Sequence, residues 1–147
     1  MHRIVHELAW ARLAPQGNPW PSRRQSGARA KGLKFEREVG KALPAARANV
    51  WVEYYDANGS GMCCPDYVMK INGQVVILEC KLTDCAEAYS QLAKLYIPVF
   101  TKMLGYAPQG IVVVKNLARG SATPCHSISE ALDSGKTVHW LGKTPLL

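Results

Sequence analysis

The dipeptide Asn72-Gly73 constrains this chain more than any other pair of residues. It separates two apolar-rich runs, Tyr67-Val68-Met69-Lys70-Ile71 and Gln74-Val75-Val76-Ile77-Leu78-Glu79-Cys80-Lys81-Leu82. A two-residue type I′ turn needs positive φ at both centres, and Asn-Gly meets that need at least steric cost, so a β-hairpin is predicted. The turn also fixes the register. With Ile71 opposite Gln74, stepping outward sets Asp66 against Glu79. Directly opposed residues share a face, and so do residues two apart on one strand, which brings Lys81 to the same side. Two carboxylates and an ammonium then converge on one patch. Like charges directly opposed destabilise a sheet, whereas a hard divalent cation turns the repulsion into coordination.

A chain of 147 residues suits one domain with a core that needs no disulfide staples. No apolar run is long enough for a membrane span, and His6, Glu7 and Arg12 interrupt an N-terminus that does not read as a secretory signal. Five cysteines, two of them adjacent at Cys63-Cys64 and none in CxxC spacing, argue for reduced thiols and a cytoplasmic setting. Charge is uneven along the chain. Residues 1–50 hold ten Lys/Arg against three Glu, residues 51–100 three against six acids, and residues 101–147 five against two. A basic flank beside an acidic centre suits a polyanion held while a metal attacks it, although a solvated basic face explains the charge equally well.

Ile4, Val5, Leu8, Ala11 and Leu13 lie at loosely helical spacing and predict a short helix, broken between Pro15 and Pro21. A basic linker from Ser22 to Arg29 follows. Residues 1–28 are therefore expected to form an extension, and residues 29–147 the domain proper. A helix is expected from Ala30 to about Leu43, stopped by Pro44, with Phe35, Val39, Ala42 and Leu43 as its stripe. Gly32 and Gly40 bracket Glu36 at one-turn spacing. Helical glycine costs roughly 1 kcal/mol relative to alanine, so a close approach is expected there, either of the sheet or of Glu36 to a metal.

Asn49 to Tyr55 reads as a strand, and Asp56 to Gly61 as a loop. After Lys81, Thr83 or Asp84 is the expected cap of a long helix striped by Tyr89, Leu92, Tyr96, Val99 and Met103 and kinked at Pro98. Gly110–Lys115 reads as a buried strand. Ser127 and Glu130 fit a capping box, and residues 136–141 an edge strand. The expected fold is α/β, a central mixed sheet flanked by helices. His2 and His6 at i and i+4 have no third ligand nearby for zinc. The helical stripe reads as core or dimer interface rather than as a cofactor site.

Pro65-Asp66, Glu79-x-Lys81, the turn between them and a preceding helix bearing Glu36 together resemble the signature of the PD-(D/E)xK superfamily, the restriction-endonuclease-like nucleases. Within it, Lys31-Gly32-Leu33-Lys34-Phe35-Glu36-Arg37-Glu38 looks like the opening helix of the archaeal-type Holliday junction resolvases. The resemblance covers roughly residues 29–116. It implies a restriction-endonuclease-like fold, a catalytic set of Glu36, Asp66, Glu79 and Lys81, and DNA contacts from Arg37 and Ser60. It also implies Mg²⁺, with Mn²⁺ as a substitute, held by Asp66, Glu79 and the Cys80 backbone carbonyl, with Glu36 acting through water or a second ion. The basic run Arg23, Arg24, Arg29, Lys31, Lys34 and Arg37 suits phosphate contact. A Gln-x-x-x-Tyr motif marks the exonuclease branch of the superfamily; here Gln91 and Tyr96 are one residue too far apart.

The expected activity is Mg²⁺-dependent endonucleolytic hydrolysis of branched DNA by a symmetric dimer with no membrane association. Two alternatives remain. One is a nicking, end-processing or defence nuclease of the same superfamily. The other is a nucleic-acid-binding module whose acids are structural.

Overall fold

A computed structural model describes residues 3–15, 28–120, 123–135 and 137–147, with Ala28 and Arg29 described by backbone alone. Arg23, Arg24 and His2 lie outside the described residues. In chain order the elements are β1 (Trp10–Leu13), α1 (Ala28–Ala42), β2 (Val52–Asp56), β3 (Gly59–Cys63), β4 (Tyr67–Ile71) and β5 (Gln74–Thr83). There follow α2 (Ala86–Gln91), a π-helical turn (Leu92–Tyr96), α3 (Ile97–Leu104), β6 (Gln109–Asn116), α4 (Ile128–Ser134) and β7 (Val138–His139).

The strands form two sheets. One, in the order β1-β2-β3, is antiparallel; the other, β4-β5-β6-β7, is mixed, with β4 antiparallel to β5 and the remaining pairs parallel. The protein is thus a mixed α/β structure. β5 and β6 are central, and Val75–Leu78 and Ile111–Val114 are buried without alternation. That follows from cover on both faces. Phe35 and Val39 of α1 and Leu43 just past its end, with Ile128 and Ala131 of α4, pack on the face carrying Val76 and Leu78. Leu92, Tyr96, Val99 and Phe100, with Val52 and Tyr54 of β2, pack on the face carrying Ile77, Val112 and Val114. No described helix is long and apolar enough to cross a membrane.

The hairpin forms in the expected register. Asn72 and Gly73 take φ of 52° and 80°, and the ladder runs from Ile71↔Gln74 to Tyr67↔Leu78. Gly40 is the point of close approach on α1. A β-carbon there would overlap the Tyr67 phenol, which donates to the Glu36 carbonyl at 2.7 Å. Helix–sheet packing therefore accounts for Gly40, while Gly32 has open space around it.

The N-terminal segment departs from the expected helix. Glu7 has φ of 54°, which no α-helix tolerates, and Trp10–Leu13 joins β2 as a strand. Cross-strand pairing replaces the helical stripe: Trp10 stacks on Tyr55 at 6.2 Å, and Arg12 pairs with Glu53. Val5 N–H also donates to the Lys94 carbonyl at 3.2 Å. Pro98, four residues beyond Lys94, has no N–H to offer that carbonyl.

Three smaller expectations shift. Gly59-Ser60-Gly61 belongs to β3 rather than to a loop, with Ser60 opposite Tyr55. The long helix begins at Ala86 with Cys85 as N-cap and no side-chain cap, so neither Thr83 nor Asp84 caps it. Ser127 accepts from Glu130 N–H as a capping box requires, but the Glu130 carboxylate turns to His126 N–H instead of the cap residue.

Candidate metal centre at the end of the β4–β5 hairpin

One step beyond the Tyr67↔Leu78 pair, Asp66 and Glu79 continue the ladder with their side chains. Asp66 N–H donates to Glu79 Oε1 at 3.1 Å, and Cys80 N–H donates to Asp66 Oδ2 at 2.7 Å. Each carboxylate thus holds the other strand's backbone, and the two acids are brought together as the turn requires. Glu79 is only 2 % exposed. Lys81 is half-buried two residues along the same strand.

Glu36 reaches this end of the sheet from α1, half-buried, with Arg37 exposed beside it. Burial first, then the Asp66 charge, raises the Glu36 carboxyl to about 7, against the pull of Arg37 and Lys81. Glu79 is raised to about 8, again by burial and then by Asp66, with the Asp66 N–H and Lys81 opposing. Burial also raises Asp66, against the Cys80 N–H and Lys81. The four expected catalytic side chains therefore share one electrostatic neighbourhood. Among the described residues the ion pairs join Arg3 to Asp56 and Arg12 to Glu53, and none closes on these acids.

Desolvated, mutually repelling carboxylates with no ion-paired cation among the described residues are a donor set of the hard oxygen type that Mg²⁺ selects. Among the described residues, no group of three His, Cys, Asp or Glu side chains stands ready to hold a metal. Mg²⁺ does not require one. It keeps several waters and is commonly bound by one or two carboxylates, a need that Asp66 and Glu79 can meet. Cys80 packs its side chain against the core beside Leu78, so only its backbone faces the question of coordination.

The expected DNA contacts separate into groups. Lys31, Lys34 and Arg37 are exposed on α1. Arg29 is helical, and its side chain lies outside the described residues, as do Arg23 and Arg24 altogether. Ser60 is exposed in β3, where its carbonyl accepts from Arg3 at 2.7 Å. The structure thus places it with the N-terminal segment rather than beside the acids.

A pairing hidden in the sequence also emerges. Gln91 Nε2 donates to the Tyr96 hydroxyl at 2.9 Å, and that hydroxyl lies 3.2 Å from the Cys64 carbonyl. The π-helical turn at Leu92–Tyr96 takes up the extra residue between them, so side chains five apart meet as side chains four apart do in an α-helix. Burial, followed by the charges of Glu79 and Asp66, raises the Tyr96 phenol. Tyr96 therefore borders the acid cluster. Only the bare spacing was available in sequence, and a π-turn has no reliable sequence mark.

Compared with protein-family models, curated proteins and solved structures, the chain matches none of them.

Proposed function

We propose that the protein is a Mg²⁺-dependent DNA endonuclease of the restriction-endonuclease-like, PD-(D/E)xK type, hydrolysing phosphodiester bonds at the Asp66–Glu79 end of the hairpin. The observation that carries this reading is half-buried Asp66 set against buried Glu79 just beyond the last ladder pair, with no ion-paired cation among the described residues. A structural role would call for a lysine or arginine within contact of such a pair.

Asp66 and Glu79 would hold the ion, with the Cys80 carbonyl as a further oxygen and Glu36 binding through water or a second ion. Bound there, Mg²⁺ supplies Lewis acidity and lowers the pKa of water. Lys81 would orient the attacking water or offset the charge that builds on the phosphoryl oxygens. Water attacks phosphorus, the bond to the leaving alkoxide breaks, and a proton reaches that oxygen. Lys31, Lys34 and Arg37 of α1 would hold the flanking phosphates.

Within this reading the substrate is a four-way DNA junction and the protein a symmetric dimer, one active site for each of two opposing strands. Cleavage assays on a four-way junction and on linear duplex of the same sequence, with and without Mg²⁺, test it. Preferred Mg²⁺-dependent cutting of the junction is expected. Equal cutting of both removes the junction specificity, and cutting of neither removes the enzyme. A second nuclease reading, end-processing of DNA, is favoured by the contact between Gln91 and Tyr96 beside the acids. It predicts cleavage near free ends and a monomer in sedimentation.

A further inference from the structure

A cavity of about 320 Å³ opens between β2, β3 and the π-helical turn. Trp51, Tyr54 and Tyr96 supply aromatic walls, Met62 and Cys64 apolar ones, and Gln91 an amide. Its construction is specific. Gly61 lies opposite Tyr54 in the β2–β3 ladder, and a β-carbon there would overlap both the Tyr54 ring and the Arg3 guanidinium. Glycine thus lets the ring lie flat on β3. Arg3 sits 5.1 Å above that ring, already bonded to Asp56 and to the Gly59 and Ser60 carbonyls. It is a fixed part of the wall, not a free arm for phosphate.

The cavity shares a wall with the acid cluster. Tyr96 lines it and accepts from Gln91, while its hydroxyl touches the Cys64 carbonyl. Asp66 lies only two residues past Cys64, at most about 7 Å along an extended chain. The volume falls near the lower end of small-molecule sites, about 300–1,000 Å³, which suits a single planar ring system. Aromatic and apolar walls with one donor–acceptor amide match a flat ligand whose edge hydrogen-bonds, and they do not match an anion.

We propose that this cavity seats one unpaired nucleobase of a DNA strand, so that the adjoining phosphate is presented to Asp66 and Glu79. The placement of the phosphate rests on the nuclease reading; the capture of the base does not. A base stacked and paired within a duplex cannot enter without unstacking. The site therefore selects strands with an unpaired overhang, fork or gap, the substrates of the end-processing reading rather than a fully paired four-way junction.

Binding in metal-free buffer tests this separately from cleavage. The full chain is titrated with a labelled duplex carrying a short single-stranded overhang, with the blunt duplex, and with free deoxyadenosine monophosphate. Tighter binding of the overhang than of either other probe is expected. Trp51→Ala should weaken overhang binding about 5- to 150-fold, the range for one lost base stack, Gln91→Ala about 2- to 10-fold, as for one lost hydrogen bond, and both should leave blunt-duplex binding unchanged. Trp51→Phe, which keeps a ring and the fold, should restore most of the affinity. Equal affinity for overhang and blunt duplex, free mononucleotide bound as tightly as the overhang, or no effect of either alanine variant would each overturn the proposal. A chain that cuts duplex with Mg²⁺ yet shows one of these results keeps its nuclease function and loses this pocket. A chain that captures the overhang without ever cutting does the reverse.

Discussion

Asp56 and Glu79 are buried alike, each 2 % exposed, yet they are partnered in opposite ways. Asp56 accepts from His6 N–H and Asn58 N–H, each at 3.0 Å, and from the Arg3 guanidinium at 2.5 Å. Burial alone would raise its carboxyl, but those donors outweigh it and hold Asp56 below the usual range. Glu79 receives one backbone N–H, faces Asp66, and is raised to about 8. The first acid is a staple, tying the N-terminal segment to the β2–β3 turn. The second is left short of positive charge at the place where a cation would be used. Equal burial, then, says little about a carboxylate's role until its donors are counted.

The largest expected effect tests the site side of this contrast. Asp66→Asn or Lys81→Ala should reduce cleavage by at least about 10³-fold, as loss of a metal ligand or of the charge facing the phosphoryl group requires. DNA binding, measured by anisotropy, should survive. Retained turnover in either variant would remove these roles.

Stability should separate the two acids next. Asp56→Ala leaves Arg3 and two backbone donors without their acceptor and should cost on the order of 2–4 kcal/mol in urea denaturation. Glu79→Gln should stabilise the metal-free protein at pH 8, since it removes a carboxylate that burial and Asp66 make costly to ionise. A destabilised Glu79→Gln protein would show that the two acids do the same work.

The pH dependence should have opposite signs. The folded state lowers the Asp56 pKa, so its contribution is present above the unfolded value near 3.8 and is lost as the solution acidifies below it. Glu79 is raised from 4.5 to about 8, so the folded chain keeps a proton that the unfolded chain has released. Its contribution is full below 4.5 and fades as pH rises through about 8. Melting of the metal-free protein should therefore fall from pH 5 to pH 8 and recover on adding Mg²⁺. Glu79→Gln should flatten that slope and blunt the recovery. No Mg²⁺ shift in the unaltered protein would count against the centre.

The smallest effect concerns the basic flank. Replacing Arg23 and Arg24 together by glutamine should lower the slope of log affinity against log salt by roughly two. An unchanged slope would remove them from the phosphate contacts.

Much of the site was legible because one turn determines it. Asn72-Gly73 carries its own backbone preference, and the alternation of a strand transmits the register outward to Asp66 and Glu79 without help from the rest of the fold. Glu36 needed more: the sequence offered α1, its apolar stripe and the glycine, but not the Tyr67 phenol packed against Gly40. The N-terminal strand was misread because its apolar spacing fits a helix almost as well, and the vacant edge of β2 decides the matter from far along the chain. Pairing of Gln91 with Tyr96 was hidden for a related reason: a π-turn is a local accommodation to packing, not a pattern of residue types. Asp56 looked like an ordinary turn residue, as its burial depends on Arg3 and His6 folding back over it.

The hydrogen bond from Val5 to Lys94 has a consequence for biosynthesis. Pro98 withholds a donor that the helix would normally provide for itself, and the replacement comes from the opening residues of the chain. During translation those residues leave the ribosome well before Lys94 and wait for this partner until the middle of the protein emerges. Closure of this contact is thus a late, long-range event, and a version trimmed ahead of Leu8 would lack it from the moment it was made.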